Sequence, residues 1–144
     1  MDTQNYANHR RLVPPFHFVL FPLVLLTLGG SITNLIQSWG DHSRIYSASL
    51  ILALSVCLLI LTPFSRMFSL KAQDRAIRAE ENLRHYVLTG KLLDPKLTVR
   101  QIVGLRFAPD TEFVALAQRA AAESLSEDDI KKAVKNWKAD TYRV

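Results

Sequence analysis

Histidine has the widest chemical range in this sequence, because imidazole can transfer protons and bind haem or metal ions. The chain of 144 residues contains four histidines. His17 is the only ionisable side chain between Arg11 and Asp41, a stretch that is mostly apolar. An ionisable group at membrane depth is a candidate functional residue by default. His17 is therefore the one weak candidate for a cofactor ligand.

The surroundings of His17 argue against that role. A haem held between two helices by two histidines needs a second histidine on the facing helix. The second apolar segment, about residues 45–64, contains none. His17 also lies only a few residues inside the predicted lipid boundary, so its ring can reach the headgroups. We therefore expect an interfacial histidine and no cofactor.

The remaining groups that could bind a metal or attack a substrate are scattered. His9, His42 and His85 fall in separate segments, without metal-ligand spacing. Cys57 is the only cysteine, so no internal disulfide can form. The acidic run 127–129 suits the first turn of a helix, where the dipole favours negative charge. Without a phosphate-binding glycine loop or a nucleophile elbow, we expect neither an enzyme nor a metal site.

Two apolar segments, about residues 16–36 and 45–64, dominate the first half of the chain. Each is about long enough to cross roughly 30 Å of hydrocarbon at 1.5 Å per residue. The linker between them is too short to hold a domain. The sequence therefore predicts a transmembrane helical hairpin over residues 16–65, preceded by a polar leader over residues 1–15.

Positive charge predicts the orientation of the hairpin. Arg10 and Arg11 precede the first span, and four basic residues follow the second between positions 66 and 78. The linker carries only Arg44. Because Lys and Arg are enriched on the cytoplasmic side of membranes, both ends are expected in the cytoplasm. In a bacterium this places the protein in the inner membrane as a multi-pass protein.

Small and polar side chains collect in the second half of the first span and at the start of the second. Small residues let helix backbones approach closely, and amide or hydroxyl groups can bond across helices. The predicted packing residues between the spans are Gly29, Gly30, Asn34, Ser49 and Ala53.

Residues 66–90 are predicted to continue the second helix into the cytoplasm after a bend at Pro63. No glycine or proline occurs between positions 66 and 88, and Gly90 is a natural stop. An apolar, alanine-rich stripe recurs there at spacings of three and four, which favours close packing on another helix. The candidate partner-docking residues are this stripe and two aromatics near the C-terminus: Ala72, Ala76, Ala79, Leu83, Tyr86, Trp137 and Tyr142.

Residues 91–144 are predicted to form a small module of three short helices. Thr98 with Gln101 forms a capping box at the first, and Pro109 precedes the second. Ser126 begins the third, whose apolar positions Ile130, Val134 and Trp137 have helical spacing. A module of this size has little core of its own, so it should pack on the long helix, the membrane or another protein.

Three stretches carry a resemblance to a known family: residues 4–9 ahead of Pro14-Pro15, residues 100–108, and residues 130–137 with the closing Tyr142-Arg143-Val144. In these stretches the chain resembles an uncharacterised bacterial family of small two-span membrane proteins. The resemblance covers the whole chain. It implies a two-span inner-membrane protein and carries no activity with it.

The predicted fold class is an all-α membrane protein: a two-helix transmembrane hairpin, a second helix extended into the cytoplasm, and a small bundle of short helices. The leading functional interpretation is a non-catalytic accessory or scaffold subunit of a membrane complex. Its partners would be the bilayer and other membrane subunits or further copies of the chain. The alternatives are a membrane-tethered adaptor that binds a soluble partner, and a cofactor-binding or redox subunit. A net charge of +5 without a basic run gives little support for nucleic-acid binding.

Overall fold

The computed structural model describes residues 4–9 and 12–140, and these residues form helices without any strand. The helices, in chain order, are a π-helical segment Pro15–Leu20, α1 Phe21–Gln37, α2 His42–Thr89, α3 Val99–Leu105, α4 Asp110–Glu123 and α5 Glu127–Ala133. The predicted fold class is confirmed in its outline: two long apolar helices precede shorter ones.

The described chain divides into two compact units. One, the hairpin unit, comprises residues 12–69. The other, the helical module, combines residues 4–9 with residues 70–140. The boundary at residue 70 falls within α2, which continues through Pro63 without a break.

The hairpin unit contains the apolar helices. The helix Pro15–Gln37 and the apolar part of α2 are each long and apolar enough to cross a membrane. Between them, Asp41 begins α2: its Oδ1 accepts hydrogen bonds from the hydroxyl of Ser43 at 2.7 Å and from the backbone N–H of Ser43 at 2.9 Å. These bonds, the hydroxyl first, lower the pKa of Asp41 below its ordinary value.

Buried residues recur every seven positions along each helix of the hairpin unit. Along α1 and its C-cap they are Val24, Ser31 and Ser38, and along α2 they are Ala48, Ser55 and Thr62. Seven residues make about two turns, so each set forms one line along its helix. Half-buried leucines at positions 28, 35, 52 and 59 alternate with these lines at spacings of three and four. This is the repeat by which two helices pack side by side, and its small members allow a close approach.

The predicted packing residues lie off this seam. All five, Gly29, Gly30, Asn34, Ser49 and Ala53, are exposed. A Cβ atom built on either glycine would meet nothing within 4 Å. The expectation that they form the contact between α1 and α2 is therefore wrong. The buried line runs instead through the half-buried leucines and the buried residues that recur every seven positions.

In the helical module, α3, α4 and α5 enclose a core whose largest fully buried side chains are Leu105, Phe107, Phe113 and Ile130. The predicted capping box of Thr98 and Gln101 is present. Ser126 accepts the backbone N–H of Asp129, as its position predicts. Gly90 ends α2 with a φ of 74°, a conformation that glycine adopts without steric cost.

The end of α5 differs from its prediction. The helix stops at Ala133, and Val134 is extended. Glu112 explains the stop, because its carboxylate accepts the backbone N–H groups of Lys135 at 2.9 Å and Asn136 at 3.1 Å, which a longer helix would have used. Val134 remains buried and Trp137 packs on the core, but from an extended chain.

The first described residues pack on this extended chain. The His9 ring lies 5.8 Å from the Trp137 ring and 6.0 Å from the Phe107 ring, centroid to centroid. The side-chain oxygen of Gln4 accepts the backbone N–H of Asp140 at 2.7 Å. The predicted leader is thus partly a component of the helical module. Arg10 and Arg11, on which the predicted orientation depends, lie outside the described residues.

Candidate docking surface on α2

The part of α2 in the helical module has a buried face. Ile77, Glu81 and His85 lie four residues apart and are each less than a tenth exposed. Because successive residues turn by about 100°, the three point to one side of the helix. An acid and an imidazole on a buried face need partners, and both have them.

Arg84 fixes this face to the loop before α4. Its Nη1 donates to Glu81 at 3.0 Å, its Nε to Asp110 at 2.6 Å, and its Nη2 to the carbonyl of Ala108 at 2.8 Å. The guanidinium also lies 4.3 Å from the ring centroid of Phe113. The side chains of Arg84 and Glu81 are only 12% and 9% exposed, so this pair is a partly buried charge pair with every nitrogen of the guanidinium satisfied.

His85 has a structural role on the same face. Its Nδ1 lies 2.7 Å from the carbonyl oxygen of Lys91 and therefore carries the proton. Its ring meets the ring of Phe113 edge-on at 6.0 Å. The imidazole thereby holds the chain that leaves α2 at Gly90.

The opposite face of α2 is apolar and exposed. Leu83 is 63% exposed, Tyr86 54% and Val87 74%. The predicted stripe Ala72, Ala76, Ala79, Leu83 and Tyr86 lies entirely on this side and spans about 80° of arc, half a turn from the centre of the buried face. We call Ala72, Ala76, Ala79, Leu83, Tyr86 and Val87 the docking face. A contiguous exposed apolar surface is typical of an interaction site.

Two opposite charges flank the docking face. Arg75 lies along one edge and Glu80 along the other, and both are exposed. Within residues 4–9 and 12–140 neither side chain forms an ion pair. Their charges are therefore available to a partner.

The other candidate docking residues differ from these. Trp137 is half-buried, with its ring 4.7 Å from the ring of Phe107, so it serves the module's own fold. The C-terminal chain up to Asp140 folds back on its own module through the ion pair of Asp140 with Arg106. Tyr142 lies outside the described residues.

His17 lies within the π-helical segment of the hairpin unit. Its Nδ1 lies 2.9 Å from the carbonyl oxygen of Val13, and its ring meets the Phe16 ring edge-on at 5.2 Å. Among the described residues, no cluster of three His, Cys, Asp or Glu side chains could hold a metal ion.

A polar cleft of about 900 Å³ lies beside α3, α4 and α5. Three of its charged groups pair with one another: Glu127 accepts from Lys131 at 2.5 Å and lies 3.7 Å from Arg100.

The sequence pattern predicted which residues of α2 share one side of the helix, and the structure shows that side exposed, but the pattern did not reveal what holds the helix in place. Arg84 was one of many basic residues, and its partner Asp110 lies 26 positions away. The packing of His9 on Trp137 joins opposite ends of the chain and has no local signal. Only the presence of aromatic and amide side chains in residues 4–9 could have suggested it.

The fold defines the class: an all-helical protein with two helices that could span a membrane and a helical module that presents an exposed apolar face. The chain belongs to a family of unknown function, DUF6526, whose model matches residues 1–144. Neither the curated proteins nor the solved structures contain a match to it.

Proposed function

We propose that the chain is a non-catalytic scaffold subunit of a bacterial inner-membrane complex. The hairpin unit anchors it in the bilayer, and the docking face on α2 binds another subunit. The observation that carries the proposal is the docking face itself. Leu83, Tyr86 and Val87 expose large apolar side chains on a helix whose other side is held rigidly by Arg84.

The proposed topology has both ends in the cytoplasm. Residues 4–9 contact the C-terminal chain at Trp137 and Asp140, which requires both segments to be on the same side of a membrane. Two spans satisfy this requirement. The basic residues that flank the spans then favour the cytoplasmic side.

The experiment is capture of a tagged full-length chain after gentle extraction from its native membrane. The unaltered chain should bring a stoichiometric subunit with it. Leu83→Glu should release that subunit, because it places a charge in the centre of the docking face. Leu92→Glu is the matched control: Leu92 is similarly exposed, at 66%, but lies in the connector beyond α2. Retention by both variants, or capture of nothing by the unaltered chain, would contradict the proposal.

A second candidate is a membrane-tethered adaptor for a soluble protein. It is favoured by the compactness of the helical module, which has its own core separate from the hairpin unit. A fragment that begins at residue 70 keeps Arg84 and its partners and is the appropriate test. Capture of a cytosolic protein by that fragment would favour the adaptor, whereas capture only by the full chain would favour the membrane subunit.

A further inference from the structure

The docking face has the spacing of a coiled coil. Positions 72, 76, 79, 83 and 86 are separated by four, three, four and three residues. In heptad notation Ala76 and Leu83 occupy a positions, and Ala72, Ala79 and Tyr86 occupy d positions. All five are exposed, so the seam of a two-stranded coil is present on this helix and lacks its second strand within the described chain.

The flanking charges identify the second strand. Arg75 falls at a g position and Glu80 at the e position five residues later. In a parallel pair of identical helices, each g residue faces the partner's e residue five positions on. Arg75 of each copy would therefore meet Glu80 of the other, and the symmetry of the pair makes this ion pair twice.

The same charges do not pair in the antiparallel arrangement. There g positions face g positions and e positions face e positions, so Arg75 of one copy would no longer face Glu80 of the other. The reciprocal ion pairs form only in the parallel arrangement.

We propose that the docking face pairs with that of a second copy of the chain, in a parallel two-stranded coiled coil in which Arg75 and Glu80 form reciprocal ion pairs. This proposal rests on the proposed function and names the subunit that the face binds. Alanine at three of the five seam positions permits a close approach, while Leu83 and Tyr86 supply most of the apolar surface.

The short seam makes the pairing depend on the membrane. Fifteen residues are about two heptads, which is marginal for a helical pair in water. Anchoring both copies in one bilayer raises their effective concentration and offsets the small interface. The test must therefore use the full chain in its membrane.

Disulfide crosslinking tests the seam. In a Cys57→Ser background, Ala79→Cys places a thiol at a d position, and mild oxidation in membranes should give a covalent dimer as the main product. Arg78→Cys, at the neighbouring exposed position outside the docking face, is the control and should crosslink several-fold less. Equal yields at both positions, or no dimer at Ala79→Cys, would overturn the proposal.

Charge reversal tests the pairing direction. Arg75→Glu and Glu80→Arg should each reduce the yield from Ala79→Cys several-fold, and the double reversal should restore it. A double variant that stays at the level of the single ones would refute the reciprocal ion pairs. If a different protein is captured through the docking face while Ala79→Cys gives no dimer, the proposal that a second copy occupies the face is wrong and the proposed scaffold function stands. A lone monomer without any captured protein overturns both.

Discussion

Arg84 connects α2 to the loop before α4 through all three of its nitrogens. Two carboxylates and one carbonyl accept from it, and the Phe113 ring covers its face. This arrangement determines which side of α2 is buried and therefore which side is exposed. A single residue thus positions the docking face without belonging to it.

Removing Arg84 should destabilise the helical module. Arg84→Met leaves Glu81 as an uncompensated, mostly buried charge, which costs about 3–5 kcal/mol. The expected result is a markedly lower melting temperature of the detergent-solubilised chain, measured by circular dichroism. Arg119→Met is the control, because its ion pair with Glu123 is half-exposed and such pairs contribute about 0–1 kcal/mol. Equal losses in both variants would show that the Arg84 contacts do not hold the module together.

Glu112 should make the extended C-terminal chain sensitive to acid. The backbone N–H of Lys135, with Asn136, lowers the pKa of Glu112 below its ordinary value of 4.5. Since the folded pKa is the lower one, the stabilisation is complete above the ordinary value and is lost as the pH falls through the folded pKa. Amide hydrogen exchange at Lys135 and Asn136, corrected for its intrinsic pH dependence, should therefore accelerate in that range. Glu112→Gln should remove the pH dependence, and its persistence in that variant would assign it to another group.

At the residue scale, local signals were predictable and distant ones were not. Thr98 and Gln101, which form the capping box, are only three positions apart, so the local sequence contains all of it. The stop of α5 depends on Glu112, more than twenty residues earlier. A periodic apolar pattern cannot reveal that a distant carboxylate takes the N–H groups that would have continued the helix.

At the element scale, the hairpin unit shows why small residues alone do not locate a helix contact. Several lines of small side chains run along each apolar helix, and each is a possible seam. The observed seam is the line in which leucines alternate with Ser31, Ala48 and Ser55 on both helices. The choice depends on both helices together, which a reading of either segment does not contain.

The seam assignment can be tested with two serine substitutions. Ser55 is 2% exposed, so Ser55→Leu forces a larger side chain into the contact and should cost about 1–3 kcal/mol. Ser49→Leu, on the exposed side, should leave thermal stability in detergent almost unchanged. A greater loss of thermal stability from Ser49→Leu than from Ser55→Leu would instead support the contact predicted from the small residues.

At the scale of the whole molecule, the hairpin unit and the helical module have different roles in the proposed function. The first supplies membrane affinity, and the second presents the docking face. The all-helical class, the two apolar helices and the exposed alanine stripe were predictable, because each depends on periodicity within one segment. The contribution of residues 4–9 to the helical module was not, since it joins positions more than a hundred residues apart.

The proposed topology gives a labelling pattern. In a Cys57→Ser background, Ala7→Cys and Ala139→Cys should react with a membrane-impermeant thiol reagent from the cytoplasmic side only. His42→Cys, at the start of α2 beside the turn between the spans, should react from the other side only. Labelling of Ala7→Cys and Ala139→Cys from opposite sides would contradict both the two-span topology and the packing of residues 4–9 on the C-terminal chain.

The most direct test of the scaffold proposal is the native mass of the full-length chain after gentle detergent extraction. We expect a mass that corresponds to this chain plus at least one further subunit or a second copy, which falls to the monomer in Leu83→Glu and is retained in Leu92→Glu. A monomeric mass of the unaltered chain, without any accompanying protein, would contradict it.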